Sequence, residues 1–275
     1  MRGEYMKALV NDREEEVFNL QDVLVPEPGD EEVLVKLHSV AICGSDLKLY
    51  KWTPWCKNVV RSLPFIPGHE GAGEVVKTGK AVKGIREGDF IAAETHIACG
   101  KCWQCTHGRP HTCQNMELFG HTVDGCFAEY CVISQVAARK LPEGFPLDKG
   151  CLLEPMGIPF RAVEAGEVSG DSVVVIGCGP IGQFAVGVAR VMNAEKIIAV
   201  DIREGRLKIA EKMGTAHFIN PDRESVTPRV LELTEGNGAG VIIEALGSGE
   251  ALSEAFDYMW VGGGNFSLWD TPLVL

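Results

Sequence analysis

Four of the ten cysteines lie within fifteen residues of one another, inside the segment 94–113: Cys99, Cys102, Cys105 and Cys113. Four thiolates complete the tetrahedral shell of a zinc ion and leave no open position for water or substrate, so the pattern predicts a structural zinc. Free or redox-active cysteines are the alternative, but a thioredoxin-like C-x-x-C motif needs a βαβ context that this loop lacks. Two histidines of the same loop, His107 and His111, are predicted to be solvated bystanders.

The N-terminal sequence favours metal binding over disulfide formation. It shows no apolar stretch followed by a small-residue cleavage site, so it is not typical of a signal peptide and predicts a reducing, cytoplasmic location. Clustered cysteines in such a compartment bind metal more often than they form disulfides. The six scattered cysteines are predicted to be mostly small buried side chains, with Cys43 as the open case.

A second group of metal-binding residue types is spread along the chain: Cys43, His69, Glu70 and Glu154. Cysteine, histidine and glutamate would give zinc three protein ligands and leave its fourth position open, which is the arrangement of a catalytic site. Spacing alone cannot show that these residues converge. Taken singly, each has an ordinary structural explanation, with the cysteine in the core, the histidine in a turn and the glutamates at the surface.

The segment Gly177-Cys178-Gly179-Pro180-Ile181-Gly182 fits the G-x-G-x-x-G pattern, follows an apolar run and precedes a predicted helix. The first glycine permits a tight turn, the second lets the backbone approach a pyrophosphate, and the third allows close helix–strand packing. Asp201 ends the next predicted strand, where a carboxylate binds ribose hydroxyls and repels a 2′-phosphate. The pattern therefore predicts NAD rather than NADP, although Arg203 and Arg206 lie nearby and could face either the ribose or solvent. A glycine-rich turn without a cofactor is the alternative.

Composition excludes several classes of function. The 275 residues are 45% hydrophobic, enough for a sizeable core and, at this length, for two domains. With 26 basic and 38 acidic residues the net charge is −12, and no basic run is present, which argues against nucleic acid or an anionic membrane as a partner. No stretch approaches the roughly 18 consecutive apolar residues of a membrane span.

The texture of the sequence divides the chain at about residue 157. Residues 1–157 contain short β-like runs broken by Gly, Pro and Asp, which predict an antiparallel barrel or sandwich. Within them, Asp124-Gly125 predicts a hairpin turn. Residues 158–275 alternate strand and helix signals and predict a doubly wound parallel sheet. Five strand candidates are present, one fewer than in the full fold.

These motifs together resemble the zinc-dependent medium-chain alcohol dehydrogenases. The resemblance runs from Met6 to the last residue and is sharpest at Ile42–Asp46, at Gly68-His69-Glu70, around the four-cysteine loop and at Glu154–Gly157. Two segments, Leu49–Trp55 and Glu94–Ile97, are more narrowly typical of the threonine dehydrogenases of that family. The resemblance implies an α/β protein with a chaperonin-10-like (GroES-like) catalytic barrel and an incomplete Rossmann NAD-binding domain.

The resemblance also implies roles for the scattered residues. Cys43, His69 and Glu154 would ligate a catalytic zinc, and Glu70 would lie beside it and be able to enter the shell. Ser45 would begin a proton relay, and His96 would lie near the substrate. The family usually has histidine where this chain has Lys48, which would have to lose a proton to serve in the relay.

The resemblance implies oxidation of a small-molecule secondary alcohol with NAD, one catalytic zinc and one structural zinc. L-threonine, giving 2-amino-3-oxobutyrate, is the expected substrate, yet Ile158-Pro159-Phe160 departs from the usual Asn-Ala-Val. A polyol or 2,3-butanediol dehydrogenase is therefore the alternative. The missing sixth strand and missing final segment favour a truncated product, so a non-catalytic zinc- and NAD-binding remnant is a third interpretation. Full-length relatives are expected to be homodimers or homotetramers.

Overall fold

Short antiparallel strands build the N-terminal half of the protein. The computed structural model describes residues 3–260 and, for the backbone alone, residues 265–268. It divides into two units, Met1–Glu154 and Pro155–Leu275. The nine strands described in the first unit are β1 (Tyr5–Val10), β2 (Asn19–Leu24), β3 (Glu32–Ala41), β4 (Glu70–Thr78), β5 (Phe90–Ala93), β6 (His96–Ile97), β7 (Glu117–Leu118), β8 (Tyr130–Ser134) and β9 (Ala138–Lys140).

Helices are short in this unit. They are α1 (Gly44–Tyr50), α2 (Cys56–Val59) and α3 (Trp103–Thr106), with 3-10 turns at Pro110–Thr112 and Leu147–Leu152. None exceeds two turns, so tertiary packing rather than helix propensity must hold them in place.

The main sheet of the first unit is antiparallel and has the order β8-β3-β4-β5-β9. Its centre is the pairing of β3 with β4, which runs from Val33↔Thr78 to Ala41↔Glu70 and contains two register irregularities. Side chains of Val33, Val35 and Val75 point into a core that excludes solvent completely. Two further pairs, β1–β2 and β6–β7, flank this sheet. The predicted antiparallel unit is confirmed.

The predicted hairpin at Asp124-Gly125 is wrong. The strand before it, β7, pairs with β6, and the strand after it, β8, pairs with β3. Gly125 instead donates its N–H to Ile66 O at 2.7 Å, and Asp124 accepts from Ile66 N at 2.9 Å. The glycine is required by close backbone contact, because a Cβ at position 125 would lie 1.9 Å from Gly68 O.

The second unit alternates helices and strands. Its strands are β10 (Ser172–Ile176), β11 (Lys196–Val200), β12 (His217–Ile219), β13 (Val241–Glu244) and β14 (Asn265–Leu268). Its helices are α4 (Leu153–Ala165, beginning at the boundary), α5 (Pro180–Val191), α6 (Glu204–Met213), α7 (Val226–Leu233) and α8 (Gly249–Ala255), with a 3-10 turn at Phe256–Tyr258.

All five strands of the second unit pair in parallel, in the order β12-β11-β10-β13-β14. Val173, Val174 and Val175 of the central strand are fully buried, because one hydrophobic cluster covers each face of the sheet. Near-continuous apolar strands of this kind are typical of doubly wound sheets. The five predicted strands and the parallel topology are confirmed. No helix in the described part of the chain is long and apolar enough to cross a membrane.

Candidate functional site

The loop between β6 and β7 brings its four cysteines together. The Sγ atoms of Cys99, Cys102, Cys105 and Cys113 all lie within 4.8 Å of one another. Cys102 Sγ is 3.5 Å from Cys105 Sγ and 3.8 Å from Cys113 Sγ. These separations exclude a disulfide, whose sulfurs lie about 2.05 Å apart. They match the edge of a ZnS₄ tetrahedron, which is about 3.8 Å for Zn–S bonds of about 2.3 Å.

Backbone N–H groups of the loop prepare the thiols for a cation. Those of Lys101 and Cys102 lower the pKa of Cys99 to about 6, because they favour the thiolate. The Cys102 thiol has its pKa lowered in the same way, whereas burial raises that of Cys105 to about 12. As thiolates, four sulfurs at this spacing would repel one another, so a divalent ion is the group that this donor set fits. His107 and His111 are exposed and stand outside the cluster.

A second cluster forms at one end of the β3–β4 pair. Because Ala41 of β3 lies opposite Glu70 of β4, the residues just beyond the pairing, Cys43 and His69, meet. Ligand atoms of Cys43, His69 and Glu70 lie within 4.8 Å of one another. His69 and Glu70 are only 4% and 5% exposed, which contradicts the surface interpretation of the glutamate. Neutral imidazole, thiolate and carboxylate are ligands that zinc accepts.

The turn before β4 fixes His69 through interlocked glycines. Gly68 has a φ of +92°, and a Cβ there would lie 2.3 Å from the ring of Phe127. A Cβ at Gly120 or Gly125 would lie about 2 Å from Gly68 O, at 2.1 and 1.9 Å. Only glycine permits such a close approach of three backbone segments. The segment 120–125, which follows the cysteine loop, therefore packs closely against the turn that contains His69.

Asp46 is a functional candidate that the sequence interpretation missed. It is 2% exposed, and its Oδ1 lies 3.5 Å from His69 Nδ1, while its Oδ2 accepts the Cys43 N–H at 2.8 Å. Within the part of the chain that the structure describes, neither Oδ1 nor His69 Nδ1 has a hydrogen-bond partner of normal geometry. A carboxylate beside Nδ1 leaves Nε2 for a metal, which is the usual support of a histidine ligand. Its position three residues after the cysteine is the signal that could have found it.

Electrostatics in this cluster are strongly perturbed. Burial lowers the pKa of His69, but Asp46 and Cys43 more than offset it and raise the value to about 10. Burial raises the pKa of Glu70 to about 6. A bound cation reverses both effects, because ligands bind metal in their deprotonated forms. Such perturbed groups in one place indicate a functional site.

His121 is the other residue that was missed. Its ring centroid is 4.6 Å from that of His69 and 5.6 Å from that of Trp55, and it is 6% exposed. Burial, followed by the charge of His69, lowers the pKa of His121 to about 4. The neutral ring therefore forms an aromatic wall of the cluster together with Trp55. Nothing in the local sequence at position 121 indicates this placement.

Glu154 lies near the cluster but not within it. Its Oε1 accepts a hydrogen bond from Thr95 Oγ1 at 2.5 Å, and its charge raises the pKa values of His69 and Glu70. His96 Nδ1 and Glu94 Oε1 are hydrogen-bonded at 2.6 Å, and this contact raises the pKa of the His96 imidazole.

The predicted relay residues lie on α1. Ser45 is half-buried in its first turn, next to Asp46. Lys48 is exposed, and its Nζ lies 5.8 Å from the ring centroid of Trp55. A cation at that distance over an indole is held by a cation–π attraction. Trp55 therefore contacts both Lys48 and His121.

In the second unit, the glycine-rich turn joins β10 to α5. Gly177 has a φ of +87°, and a Cβ on Gly182 would lie 1.9 Å from Gly177 O. A Cβ on Gly179 would meet nothing within 4 Å, so this position faces open space at the start of α5, where Pro180 and Ile181 form the first turn. A strained first glycine, an open second and a packed third form a cradle that a pyrophosphate fits.

Asp201 follows β11 and is held rigidly beside this turn. It is 6% exposed, its Oδ2 accepts the Cys178 N–H at 2.8 Å, and its Oδ1 accepts the Arg203 N–H at 2.8 Å. Arg206 Nη1 lies 3.4 Å from Oδ2, so this guanidinium is paired with the carboxylate. These residues line a pocket of about 400 Å³ together with Gly177.

Comparisons with known proteins agree with this architecture. Residues 29–143 match the alcohol dehydrogenase GroES-like domain, and residues 180–268 match the zinc-binding dehydrogenase domain. The chain is 40% identical to an L-threonine 3-dehydrogenase of Pyrococcus furiosus over 261 residues, which are 95% of this chain and 75% of that protein.

Two solved structures extend the comparison. A zinc-binding dehydrogenase from Sinorhizobium meliloti bound to NADP superposes with a TM-score of 0.90 at 28% identity, covering 99% of this chain and 79% of that one. The 2R,3R-butanediol dehydrogenase of Bacillus subtilis gives 0.85 at 26% identity, covering 96% and 77%. The chain belongs to the zinc-dependent medium-chain alcohol dehydrogenase family. Its first unit is the GroES-like barrel of that family, and its second is the Rossmann unit.

Proposed function

We propose that this protein oxidises L-threonine at its secondary alcohol, with zinc and NAD, to 2-amino-3-oxobutyrate. The convergence of Cys43, His69 and Glu70 within 4.8 Å carries the proposal, because sequence spacing alone did not show that they meet. The 40% identity to a protein named L-threonine 3-dehydrogenase supports the choice of substrate. In the reaction the alcohol loses a hydride to the nicotinamide and a proton to solvent, leaving a ketone, NADH and H⁺.

Two zinc ions per chain are proposed, with different roles. The four cysteines of the loop would hold one ion in a closed shell, where it stabilises the fold. Cys43, His69 and Glu154 would hold the other, with Glu70 as a neighbour that can enter the shell. Glu154 lies outside the cluster of three in this structure and accepts a hydrogen bond from Thr95, so to serve as a ligand it would have to approach the other two. When bound, this second ion supplies Lewis acidity that lowers the pKa of the substrate hydroxyl.

Protein side chains around the second cluster have their own tasks. Asp46 orients the imidazole of His69, and His121 and Trp55 form an apolar, aromatic surface beside it. We propose that Ser45, in the first turn of α1, accepts the substrate proton as it passes on its own. Lys48 stands where a relay would continue, but its ammonium lies over Trp55. We therefore propose that the proton passes from Ser45 to solvent.

His96 is proposed to contact the substrate. Glu94 Oε1 lies 2.6 Å from His96 Nδ1, and this contact leaves Nε2 for the substrate. This arrangement of an acid, an oriented imidazole and a reactant is the usual means of positioning a histidine for hydrogen bonding or proton transfer.

NAD is proposed as the cofactor, bound by the glycine cradle and by Asp201. Asp201 lines the pocket beside Gly177, where a carboxylate would bind the ribose hydroxyls and disfavour a 2′-phosphate. Arg203 lies close to this site, and the Sinorhizobium relative is bound to NADP. NADP should therefore be assayed beside NAD.

A polyol or 2,3-butanediol dehydrogenase is the second candidate. Ile158, Pro159 and Phe160 stand where threonine dehydrogenases usually carry Asn-Ala-Val, and Phe160 is 45% exposed. The likeness to the Bacillus butanediol dehydrogenase supports the same candidate.

The test is NADH formation by zinc-loaded protein with L-threonine, 2,3-butanediol and sorbitol in parallel. Turnover on threonine alone supports the proposal, and turnover on the diol or polyol replaces the substrate. Zinc content provides the second readout, with two ions expected per chain. Silence on all three substrates at two zinc ions per chain would favour a binding remnant.

A further inference from the structure

Glu244 is a buried acid that the proposed chemistry does not use. It ends β13 at the carboxyl edge of the parallel sheet and is 0% exposed. Burial of a carboxylate costs several kcal/mol in effective desolvation unless strong hydrogen bonds replace water. Glu244 lies at the edge of the sheet where doubly wound folds bind ligands, so its unfavourable burial suggests a functional role.

Among the described residues, the side-chain hydrogen bonds of Glu244 go to the turn that follows it. Its Oε1 accepts the N–H of Leu246 at 2.7 Å and that of Gly247 at 2.9 Å, and its Oε2 accepts from Gly247 at 3.1 Å. Gly247 has a φ of +73°, so the chain reverses sharply there. Bonds from N–H groups to a charged acceptor are about twice as strong as neutral ones. The carboxylate therefore fixes the backbone of residues 245–248.

That turn contacts the glycine-rich turn directly. A Cβ on Gly177 would lie 3.1 Å from both the Cβ and the N of Leu246. Ala245 N donates to Ile176 O at 2.8 Å, which ties the start of the turn to the end of β10. Leu246 and Ser248 line the same pocket of about 400 Å³ as Gly177 and Asp201.

We propose that Glu244 is a positioning residue for the dinucleotide, because its carboxylate holds residues 245–248 as a wall of the nucleotide pocket. Glu244 itself touches no ligand, and its effect passes through Leu246 and Ser248. The inference rests on the proposed NAD site. A neutral acceptor at the same place would hold the turn less firmly, so the site would lose affinity for the nucleotide rather than its chemistry.

Titration of the zinc-loaded full chain with NADH, followed by fluorescence, tests this role in Glu244→Ala and Glu244→Gln. The alanine variant loses every hydrogen bond to the turn and is expected to bind NADH about tenfold or more weakly. The glutamine variant keeps one acceptor oxygen and is expected to recover most of this loss, to within about fivefold of the parent. In steady-state assays, KM for NAD should rise in proportion to the loss of NADH affinity. The kcat at saturating NAD and the KM for the alcohol should stay unchanged.

Thr234→Val is the matched control. Thr234 Oγ1 donates to Val230 O at 2.8 Å and accepts the Gly238 N–H at 3.0 Å, so it also fixes a buried turn of the same unit. That turn precedes β13, whereas the Glu244 turn follows it. The control should lower the melting temperature without changing the affinity for NADH.

Each outcome decides the inference. Equal NADH affinity in the parent and in both Glu244 variants overturns it and leaves the proposed function intact. A parent that binds no NADH overturns the NAD proposal and the inference together. If the alanine variant fails to fold, Leu246→Gly is used with Glu244 intact, since Leu246 is 57% exposed. Weaker NADH binding there supports the role of the turn, and unchanged binding overturns it.

Discussion

The two metal clusters are built in opposite ways. The four cysteines of the loop come from one stretch of fifteen residues, in which local hydrogen bonds from Lys101 and Cys102 already shape the ligands. Cys43 and His69 lie just beyond the ends of β3 and β4, and they meet Glu70, the first residue of β4, because Ala41 pairs with Glu70. We therefore expect the order of the loop to depend on a bound metal, and that of the assembled cluster to depend on the barrel.

This difference separates stability from activity. A closed four-thiolate shell contributes binding free energy directly to folding. An assembled cluster with buried charges is held together by the surrounding fold and adds little to its stability. Changing a ligand there should therefore lower activity more than the free energy of unfolding. The two classes of variant should therefore move different measurements.

Cys43→Ala gives the largest expected effect. Loss of a ligand should remove the Lewis acid, worth several kcal/mol of transition-state stabilisation, so kcat should fall at least about a thousandfold. Zinc content should fall from two ions to one, with the melting temperature little changed. Metal analysis and thermal unfolding of the same sample check this division, and a melting temperature reduced as far as that of the Cys102 variant would contradict it.

Cys102→Ala should lower stability, whereas Cys43→Ala should lower activity. It removes the sulfur that lies 3.5 Å from Cys105 and 3.8 Å from Cys113, so the structural ion is lost and the loop unfolds locally. We expect a loss of several kcal/mol in the free energy of unfolding, since structural zinc contributes to folding outright. Urea unfolding with and without a chelator measures it: the chelator should destabilise the parent and have little further effect on the variant.

Gly125→Ala tests whether the assembled cluster depends on the barrel. The added Cβ would lie 1.9 Å from Gly68 O, so the turn that presents His69 must shift. A loss of about 2–4 kcal/mol is expected, together with weaker zinc binding at Cys43 and His69 but not at the cysteine loop.

Gly205→Ala provides the comparison for that variant. A Cβ there meets nothing within 4 Å, and the residue lies in α6, where alanine is favoured over glycine. Its stability should be unchanged or slightly higher, by up to about 1 kcal/mol. A similar loss in both variants would show that glycine content, and not the contact with Gly68, is what matters.

The smallest expected effect is on the free energy of unfolding at acid pH, through an ion pair within the barrel. Asp89 Oδ1 lies 2.7 Å from Lys140 Nζ, and this contact lowers the pKa of the carboxyl. A lowered pKa in the folded state stabilises the protein above the unfolded value of about 3.9, and this contribution disappears as pH falls through the folded value. Asp89→Asn should cost at most about 1 kcal/mol at pH 7, because Lys140 is half-exposed.

The measurement for that variant is the free energy of unfolding across pH 2–7. The parent should lose stability more steeply than Asp89→Asn between about pH 4 and the folded pKa, and the two curves should converge below it. Parallel curves over the whole range would contradict the assignment.

Patterns that depend on local chemistry could be predicted from the sequence. The five strands of the parallel sheet follow from buried apolar runs such as Val173–Ile176, and the cysteine loop follows from ligand spacing. Gly177 has the positive φ and Gly182 the close packing that their spacing predicts, while Gly179 faces open space.

Features set by tertiary contact could not be predicted. Asp46 and His121 matter because of what lies beside them. Nothing in the local sequence marks His121, and the spacing of Asp46 from Cys43 does not by itself show that its carboxylate meets His69. Asp124-Gly125 satisfied the rule for a hairpin, yet close packing on Gly68, not a turn between paired strands, is why glycine is there. Glu244 belongs to the same class, because only the folded chain shows that its partners are the N–H groups of the next turn.

The contact of Gly125 with Gly68 also has a consequence for amide exchange with solvent deuterium. The N–H groups of Gly125 and Cys126 are donated to Ile66 O and Gly68 O at 2.7 and 2.8 Å, in backbone that belongs to no strand. They should be protected like the amides of β3 and β4, exchanging only when the barrel unfolds as a whole. A map of exchange rates would thus place this irregular crossing among the last parts of the molecule to open.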